Sequence, residues 1–96
     1  MKVYLSGKIS GLNKEDYLIN FAYREFKVRE EYKCVVYNPC NIKPLFGIKK
    51  YWCFMAADLY TLIFKSDAIY LLDNWKDSKG AKIELFFALL TRKRVL

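Results

Sequence analysis

The feature that most constrains this chain is the alternation of four short apolar segments with three segments of helical periodicity. One apolar segment, Ala68–Leu72, is nearly free of polar side chains, which is typical of a strand in a sheet covered on both faces. Strands that alternate with helices form parallel sheets with right-handed crossovers. The sequence therefore predicts one α/β domain over residues 1–96, with a short, four-stranded, doubly wound parallel sheet. The predicted strands are 2–6, 34–37, 68–72 and 94–96, and the predicted helices are 13–31, 52–63 and 78–92.

Composition narrows the chemistry that the chain can perform. It contains no histidine, so the usual general base is missing and catalysis would rest on carboxylates, lysine, tyrosine, cysteine or serine. Three cysteines without a close pair, and an N-terminus unlike a signal peptide, predict reduced thiols in the cytoplasm and no metal site. No apolar run approaches the roughly 18 residues that cross a membrane, so no membrane association is expected. The net charge of +7 suits nucleic acid or a small anionic substrate.

The segment Gly7–Gly11 connects the first predicted strand to the first predicted helix. Such turns lie at the carboxyl edge of a doubly wound sheet, where ligands bind. Its two glycines allow backbone N–H groups to approach an anion, and Lys8 adds a positive charge. It is neither a dinucleotide fingerprint nor a P-loop, so no cofactor is expected. The alternative is an ordinary tight turn that binds nothing.

Two isolated carboxylates stand out in the predicted helices. Glu84 is the only polar residue between Ile83 and Leu90, and Asp58 is the only charged residue between Lys50 and Lys65. A carboxylate in an apolar setting is costly unless it has a partner or a function. Two carboxylates at one cleft are sufficient for glycosyl chemistry, with one attacking the anomeric carbon and the other handling protons. The alternative is that each side chain points to solvent.

Several segments together carry a resemblance to a known family. They are Val3–Gly11, Val36–Pro39, Asp58-Leu59 followed by Ser66–Leu72, and Trp75–Glu84, the last similar to a signature S-x-G-x-x-x-E. The chain thus resembles the nucleoside 2-deoxyribosyltransferase family over nearly its whole length. The similar members are small phage and bacterial deoxyribosyltransferase-like proteins and the deoxynucleoside 5′-monophosphate N-glycosidases.

The resemblance implies roles for individual residues. Glu84 falls on the nucleophile that attacks C1′ of the sugar, and Asp58 on the aspartate that helps to protonate the leaving base or positions the sugar. Tyr4 falls on a tyrosine that orients the nucleophile. The strand order is expected to be flavodoxin-like, 2-1-3-4, in a Rossmann-like sheet. The implied substrate-binding residues are Gly7, Lys8, Ile9, Ser10, Gly11, Asn38, Asp73, Ser78 and Gly80.

Three functions remain open at this point. The first is cleavage or exchange of the N-glycosidic bond of a deoxynucleoside or its 5′-monophosphate, without a cofactor. The second is a non-catalytic nucleotide-binding or sensing protein of the same fold. This function is favoured by the end of the chain at Leu96, before a segment that is usual in the family. The third is nucleic-acid binding through Lys49-Lys50 and Arg92–Arg94, which the spread of basic residues along the chain disfavours.

The helix predicted at 78–92 bears on the oligomeric state. It is apolar almost all round, which is typical of a helix covered on more than one side. Its own sheet supplies one cover, and in so small a domain the other is expected to be a partner subunit. We therefore expect a homodimer formed through this helix.

Overall fold

The structure is a computed structural model that describes all 96 residues. It confirms the predicted α/β architecture, in which parallel strands alternate with helices. None of the helices combines the length and the apolar character that a membrane-spanning helix needs. The strands are β1 (Lys2–Ser6), β2 (Val35–Tyr37), β3 (Ala68–Leu71) and β4 (Arg94–Val95), and the helices are α1 (Lys14–Tyr32), α2 (Tyr51–Tyr60) and α3 (Lys79–Leu90).

The four strands lie in the order β2-β1-β3-β4, which confirms the flavodoxin-like order. β1 pairs with β3 over Val3–Ser6 against Ala68–Leu71, and all four of these β1 residues are fully buried. A central parallel strand buried on both faces needs apolar side chains on both, which explains its nearly continuous apolar sequence. Because β1 and β3 are neighbours, the segments that follow them meet at the carboxyl edge of the sheet.

The helices cover both faces of the sheet. On one face, Phe21 of α1 packs in a buried cluster with Leu5. On the other face, Tyr4 packs in a second cluster with Ala88 of α3. Side chains alternate along a strand, so Tyr4 and Ser6 of β1 both point towards α3. This alternation decides which β1 residues reach the side chains of α3.

Helix α2 differs from prediction at its C-terminal end. The sequence predicts helix to residue 63, whereas α2 passes into a π-helical turn at Thr61–Lys65. Thr61 donates from Oγ1 to the Ala57 carbonyl at 2.9 Å, and Ser66 donates from Oγ to the Thr61 carbonyl at 2.9 Å. These side-chain hydrogen bonds compete with regular helical pairing and stabilise the wider turn. The other predicted boundaries agree with the structure to within two residues.

The outer face of α3 is exposed in the single chain. Phe86, Leu89 and Leu90 are 61%, 59% and 64% exposed, although the apolar sequence predicts cover on a second side. The buried cluster beneath α3 contains only four residues, against seven on the α1 face. The α2 and α3 side of the domain therefore has the thinner core.

Candidate active site

A cavity of about 810 Å³, hereafter the cleft, opens at the carboxyl edge of the sheet. Its volume lies within the range of roughly 300–1,000 Å³ that is usual for small-molecule sites. The edge is the one at which open parallel sheets bind ligands. The cleft is lined by Gly7–Gly11, Lys14, Tyr17, Leu18, Pro39, Cys40, Ile42, Tyr51, Phe54, Met55, Asp58, Asp77–Ala81 and Glu84.

Glu84 lies at the floor of the cleft, in the second turn of α3, and is 5% exposed. Its two carboxylate oxygens are held by different hydroxyl groups of β1. Tyr4 donates from its hydroxyl to Oε2, and Ser6 donates from Oγ to Oε1 at 2.7 Å. Tyr4 and Ser6 lie on the same face of β1 because they are two residues apart. They are fully buried behind Glu84 and do not line the cleft, so they hold the carboxylate from the protein side.

Burial changes the ionisation of Glu84. Desolvation raises its pKa from the ordinary 4.5 to about 7, although the hydrogen bonds from Tyr4 and Ser6 favour the charged form. The pKa of the Tyr4 hydroxyl is raised well above its ordinary value, by burial first and by the negative charge of Glu84 second. Tyr4 therefore stays protonated and remains a hydrogen-bond donor to the carboxylate.

Asp58, on α2, is a further carboxyl group of the cleft, which Asp77 also lines. Its Oδ1 is buried and has no hydrogen-bond partner. Burial, and next the charge of Glu84, raise its pKa from 3.8 to about 8. Nearby Cys40 also lines the cleft, and burial together with the charge of Asp58 raises the pKa of its thiol to about 11. Burial thus raises the pKa of both carboxyl groups, and the hydrogen bonds from Tyr4 and Ser6 favour the charged form of Glu84 alone.

The two raised pKa values predict that the protein loses stability as pH rises from about 4 to about 8. In the unfolded chain both carboxyl groups ionise near their ordinary values, whereas the folded chain retains their protons until about 7 and 8. The folded state binds more protons in this interval, so the free energy of unfolding falls with rising pH and levels off above 8. The melting temperature is expected to be at least about 4 °C higher at pH 5 than at pH 8. Differential scanning fluorimetry measures this, and a higher melting temperature at pH 8 would contradict it.

The loop Gly7–Gly11 closes one end of the cleft. A Cβ atom at Gly7 would lie 2.8 Å from the Cβ of Leu72, so only glycine allows the loop to pass this close to the segment after β3. Asn74 fixes the loop from that segment, since its Oδ1 accepts a hydrogen bond from the Lys8 backbone N–H at 3.0 Å. Gly11 has a φ of +85°, in the region that favours glycine. The loop conformation is therefore set by contacts with the β3 side of the sheet.

The start of α3 faces the same part of the cleft. Ser78 caps the helix by accepting a hydrogen bond from the Ala81 N–H at 3.1 Å, and Gly80 lines the cleft without a side chain. The N-terminus of a helix favours negative charge. Three cations, Lys8, Lys14 and Lys79, also line the cleft. The chain has two ion pairs, and both involve arginines of α1, so none of these three lysines is paired with a carboxylate. The cleft therefore combines a buried carboxyl pair with three lysines that form no ion pair, and Asp77 also lines it.

Most of the predicted substrate-binding residues line the cleft, but two do not. Asn38 is buried at the end of β2, where its Oδ1 accepts a hydrogen bond from the Cys40 N–H at 3.0 Å. Asp73 is exposed on a separate cavity of about 300 Å³ on the α1 side, with a carboxylate oxygen 3.9 Å from Arg24. The structure gives both residues local structural contacts outside the cleft.

Sequence reasoning missed three residues that shape the site: Ser6, Asn74 and Lys14. Ser6 had a usable signal, because it lies two positions from Tyr4 in an apolar strand and so shares its face. Asn74 had none, since its role depends on how two loops meet in space, and nothing in the sequence distinguishes Lys14, the first residue of α1, from the other lysines. No group of three or more cysteine, aspartate, glutamate or histidine side chains is arranged to hold a metal ion.

Comparison with known proteins identifies the family and no individual relative. No curated protein and no solved structure matches the chain. One family model does match, and it spans residues 1–96, the whole length of the α/β domain described above. The chain therefore belongs to the family described as Domain of unknown function (DUF4406).

Proposed function

We propose that this protein cleaves the N-glycosidic bond of a deoxynucleoside 5′-monophosphate, by hydrolysis or by transfer of the deoxyribosyl group. The observation that carries the proposal is the carboxyl pair of the cleft. Glu84 is held by two hydroxyls in an ionised, desolvated position, and Asp58 beside it has a pKa raised to about 8 by burial and by the Glu84 charge. A nucleophile needs to be ionised, and a general acid needs to be protonated, at the same pH. The hydroxyls favour the charged form of Glu84, and burial with the Glu84 charge favours the protonated form of Asp58, so the pair is suited to both roles.

In the first step, a carboxylate oxygen of Glu84 attacks C1′ of the sugar and forms a C1′–O bond. The C1′–N bond to the base breaks, and its electron pair leaves with the base. Asp58 gives its proton to the leaving base, either at the nitrogen that was bonded to C1′ or at another ring nitrogen of the base. The positive charge that develops on the sugar is stabilised by the carboxylate, as in other retaining glycosyl transfers.

In the second step, an acceptor releases the sugar from Glu84. The ionised Asp58 removes a proton from water, or from an incoming base, and the acceptor attacks C1′. The C1′–O bond to Glu84 then breaks and the carboxylate is regenerated. Tyr4 and Ser6 remain hydrogen-bonded to the carboxylate, which improves it as a leaving group in this step.

The three lysines of the cleft and the N-terminus of α3 support a phosphorylated substrate. Lys8, Lys14 and Lys79 line the cleft without carboxylate partners, and the N-terminus of α3 opens into it. The apolar wall formed by Tyr51, Phe54 and neighbouring residues suits the face of a base. A deoxynucleoside 5′-monophosphate has both features, an anionic end and an aromatic end, about one sugar apart.

The proposal is tested by incubating the protein at high concentration with each of the four common deoxynucleoside 5′-monophosphates. Chromatography for free base is the measurement, and the matching unphosphorylated deoxynucleosides are the control for phosphate recognition. We expect base release from at least one monophosphate, faster than from its nucleoside. Binding of a nucleotide without base release from any of them would overturn the enzymatic proposal and favour a nucleotide-binding protein.

We further propose that two copies of the chain associate through the outer faces of α2 and α3. Six large apolar side chains there are more than half exposed: Trp52, Tyr60, Phe64, Phe86, Leu89 and Leu90. Their summed exposed area is on the order of 600 Å², close to one partner's share of a standard interface. Light scattering at micromolar concentration is expected to give twice the chain mass of 11.4 kDa. A monomer at that concentration would contradict the proposal.

The three cysteines are free in the structure. Free thiols and a nucleotide substrate support a reducing, cytoplasmic location, which we propose as the compartment.

A further inference from the structure

The hydrogen bond from Ser6 to Glu84 has no counterpart at Asp58. Ser6 is fully buried at the end of β1, and its Oγ donates to Oε1 of Glu84 at 2.7 Å. It does not line the cleft, so it cannot touch a ligand there. Any effect that it has on chemistry must therefore pass through Glu84.

The two carboxyl groups differ in their hydrogen-bond partners. Glu84 accepts from two buried hydroxyls, whereas the buried Oδ1 of Asp58 accepts from none. A donor to a carboxylate stabilises the charged form, and a buried oxygen without a donor favours the neutral form. Both asymmetries act in the same direction, towards a charged Glu84 and a protonated Asp58.

The remaining charged and titratable neighbours do not account for this asymmetry. Cys40 faces Asp58 from the turn after β2 and stays protonated, because burial and the charge of Asp58 raise the pKa of its thiol. No lysine or arginine forms an ion pair with either carboxyl group, since both ion pairs of the chain lie elsewhere. The hydroxyls of β1 are therefore the groups that distinguish the two carboxyls.

We propose that Ser6 is a positioning residue that acts with Tyr4 to keep Glu84 ionised, and that it thereby helps to place the proton of the carboxyl pair on Asp58. The placement of the proton is a property of the ligand-free protein, and its value for catalysis rests on the proposed function. Ser6 holds the Glu84 oxygen that Tyr4 does not reach, and Asp58 has no such donor.

The test is a carboxyl ¹³C NMR titration of the ligand-free protein, with Ser6→Ala compared with wild type. The matched control is Ser66→Ala, which removes another buried serine hydroxyl with a single hydrogen bond, at 2.9 Å, but away from the carboxyl pair. In Ser6→Ala we expect the pKa of Glu84 to rise by about one unit and that of Asp58 to fall. In Ser66→Ala we expect both to match wild type. If Glu84 titrates alike in wild type and Ser6→Ala, the proposal is wrong.

A second variant and a second readout keep the result independent of folding and of activity. Ser6→Cys keeps a polar side chain of similar shape that donates more weakly, so it is expected to shift the titration in the same direction by less. Where base release is observed, the acid limb of its pH profile is expected to move to higher pH in Ser6→Ala, by the same amount as the pKa of Glu84. If the wild-type protein releases no base, the proposed function fails, while the NMR titration still decides the role of Ser6. A Glu84 pKa unchanged in both Ser6 variants would overturn that role.

Discussion

Replacing Glu84 with glutamine is expected to lower the rate of base release by at least about a thousandfold, because the variant lacks the proposed nucleophile. The change should leave the fold intact. Glutamine has nearly the same shape, and its oxygen can accept a hydrogen bond from one of the two β1 hydroxyls. Removing a buried carboxyl group whose pKa is raised to about 7 by desolvation also removes a cost of folding at neutral pH. Base release under saturating substrate, together with a melting curve, measures both effects.

The matched control for this variant is Glu31→Gln, which neutralises an exposed glutamate near the end of α1. It is expected to release base at the wild-type rate. If Glu84→Gln kept more than about a tenth of the wild-type rate while folded, Glu84 would not be the nucleophile. A loss of rate that accompanied unfolding would instead assign Glu84 a structural role.

Replacing Asp58 with asparagine is expected to slow base release by roughly 10²–10⁴-fold, the usual contribution of a general acid. The pH profile should change shape as well as height. In the wild type, the rate falls below about pH 7 as Glu84 takes up a proton, and falls above about pH 8 as Asp58 loses its own. Asparagine does not titrate, so the fall above pH 8 should disappear and the fall below pH 7 should remain. Steady-state rates between pH 5 and 10 measure the profile.

The control for this second variant is Asp16→Asn, at an exposed aspartate in the first turn of α1. Its bell-shaped profile is expected to match that of the wild type. An Asp58→Asn profile that kept its basic limb would show that another group supplies the proton. The role of Asp58 as general acid would then be wrong, even if the rate were low.

The fold could be predicted from the sequence because its strands and helices have strong local signals. Ala68–Leu72 is apolar on both faces, as a central parallel strand must be, and β3 occupies Ala68–Leu71. The π turn at Thr61–Lys65 could not be predicted in the same way. It depends on the hydroxyls of Thr61 and Ser66 bonding to backbone carbonyls, and periodicity carries no information on such bonds.

The chemistry of the site was partly visible in the sequence. Glu84 and Asp58 stand out because each is isolated in an apolar helix, and the structure brings both to one cleft. The resemblance implies that Glu84 is the nucleophile and that Asp58 handles the proton, but the sequence does not show which contacts would set these roles. Those contacts include the hydroxyl of Ser6, which reaches Glu84 across 78 positions of the chain. Contacts between residues so far apart follow from strand order and register, which a single sequence specifies only indirectly.

The loop contacts illustrate the same limit. Asp73 was expected to bind substrate, yet its side chain is exposed and turned to the α1 side, near Arg24. Its neighbour Asn74 instead holds the loop after β1 through the Lys8 N–H. Both follow β3 and both are small and polar, so the sequence offers no physical reason to choose between them. The backbone path after Leu72 decides which one reaches the loop.

The central claim, that Glu84 forms a covalent bond to the sugar, is tested most directly by trapping that bond. A 2′-fluoro-arabinosyl analogue of the best deoxynucleotide slows the second step, because fluorine disfavours positive charge on the sugar. Mass spectrometry of the digested protein then locates the adduct. Trypsin releases Ile83–Arg92, in which Glu84 is the only acidic side chain. We predict a fluorinated sugar phosphate on this peptide and none in Glu84→Gln; base release with this peptide unmodified, or an adduct elsewhere, would contradict the account.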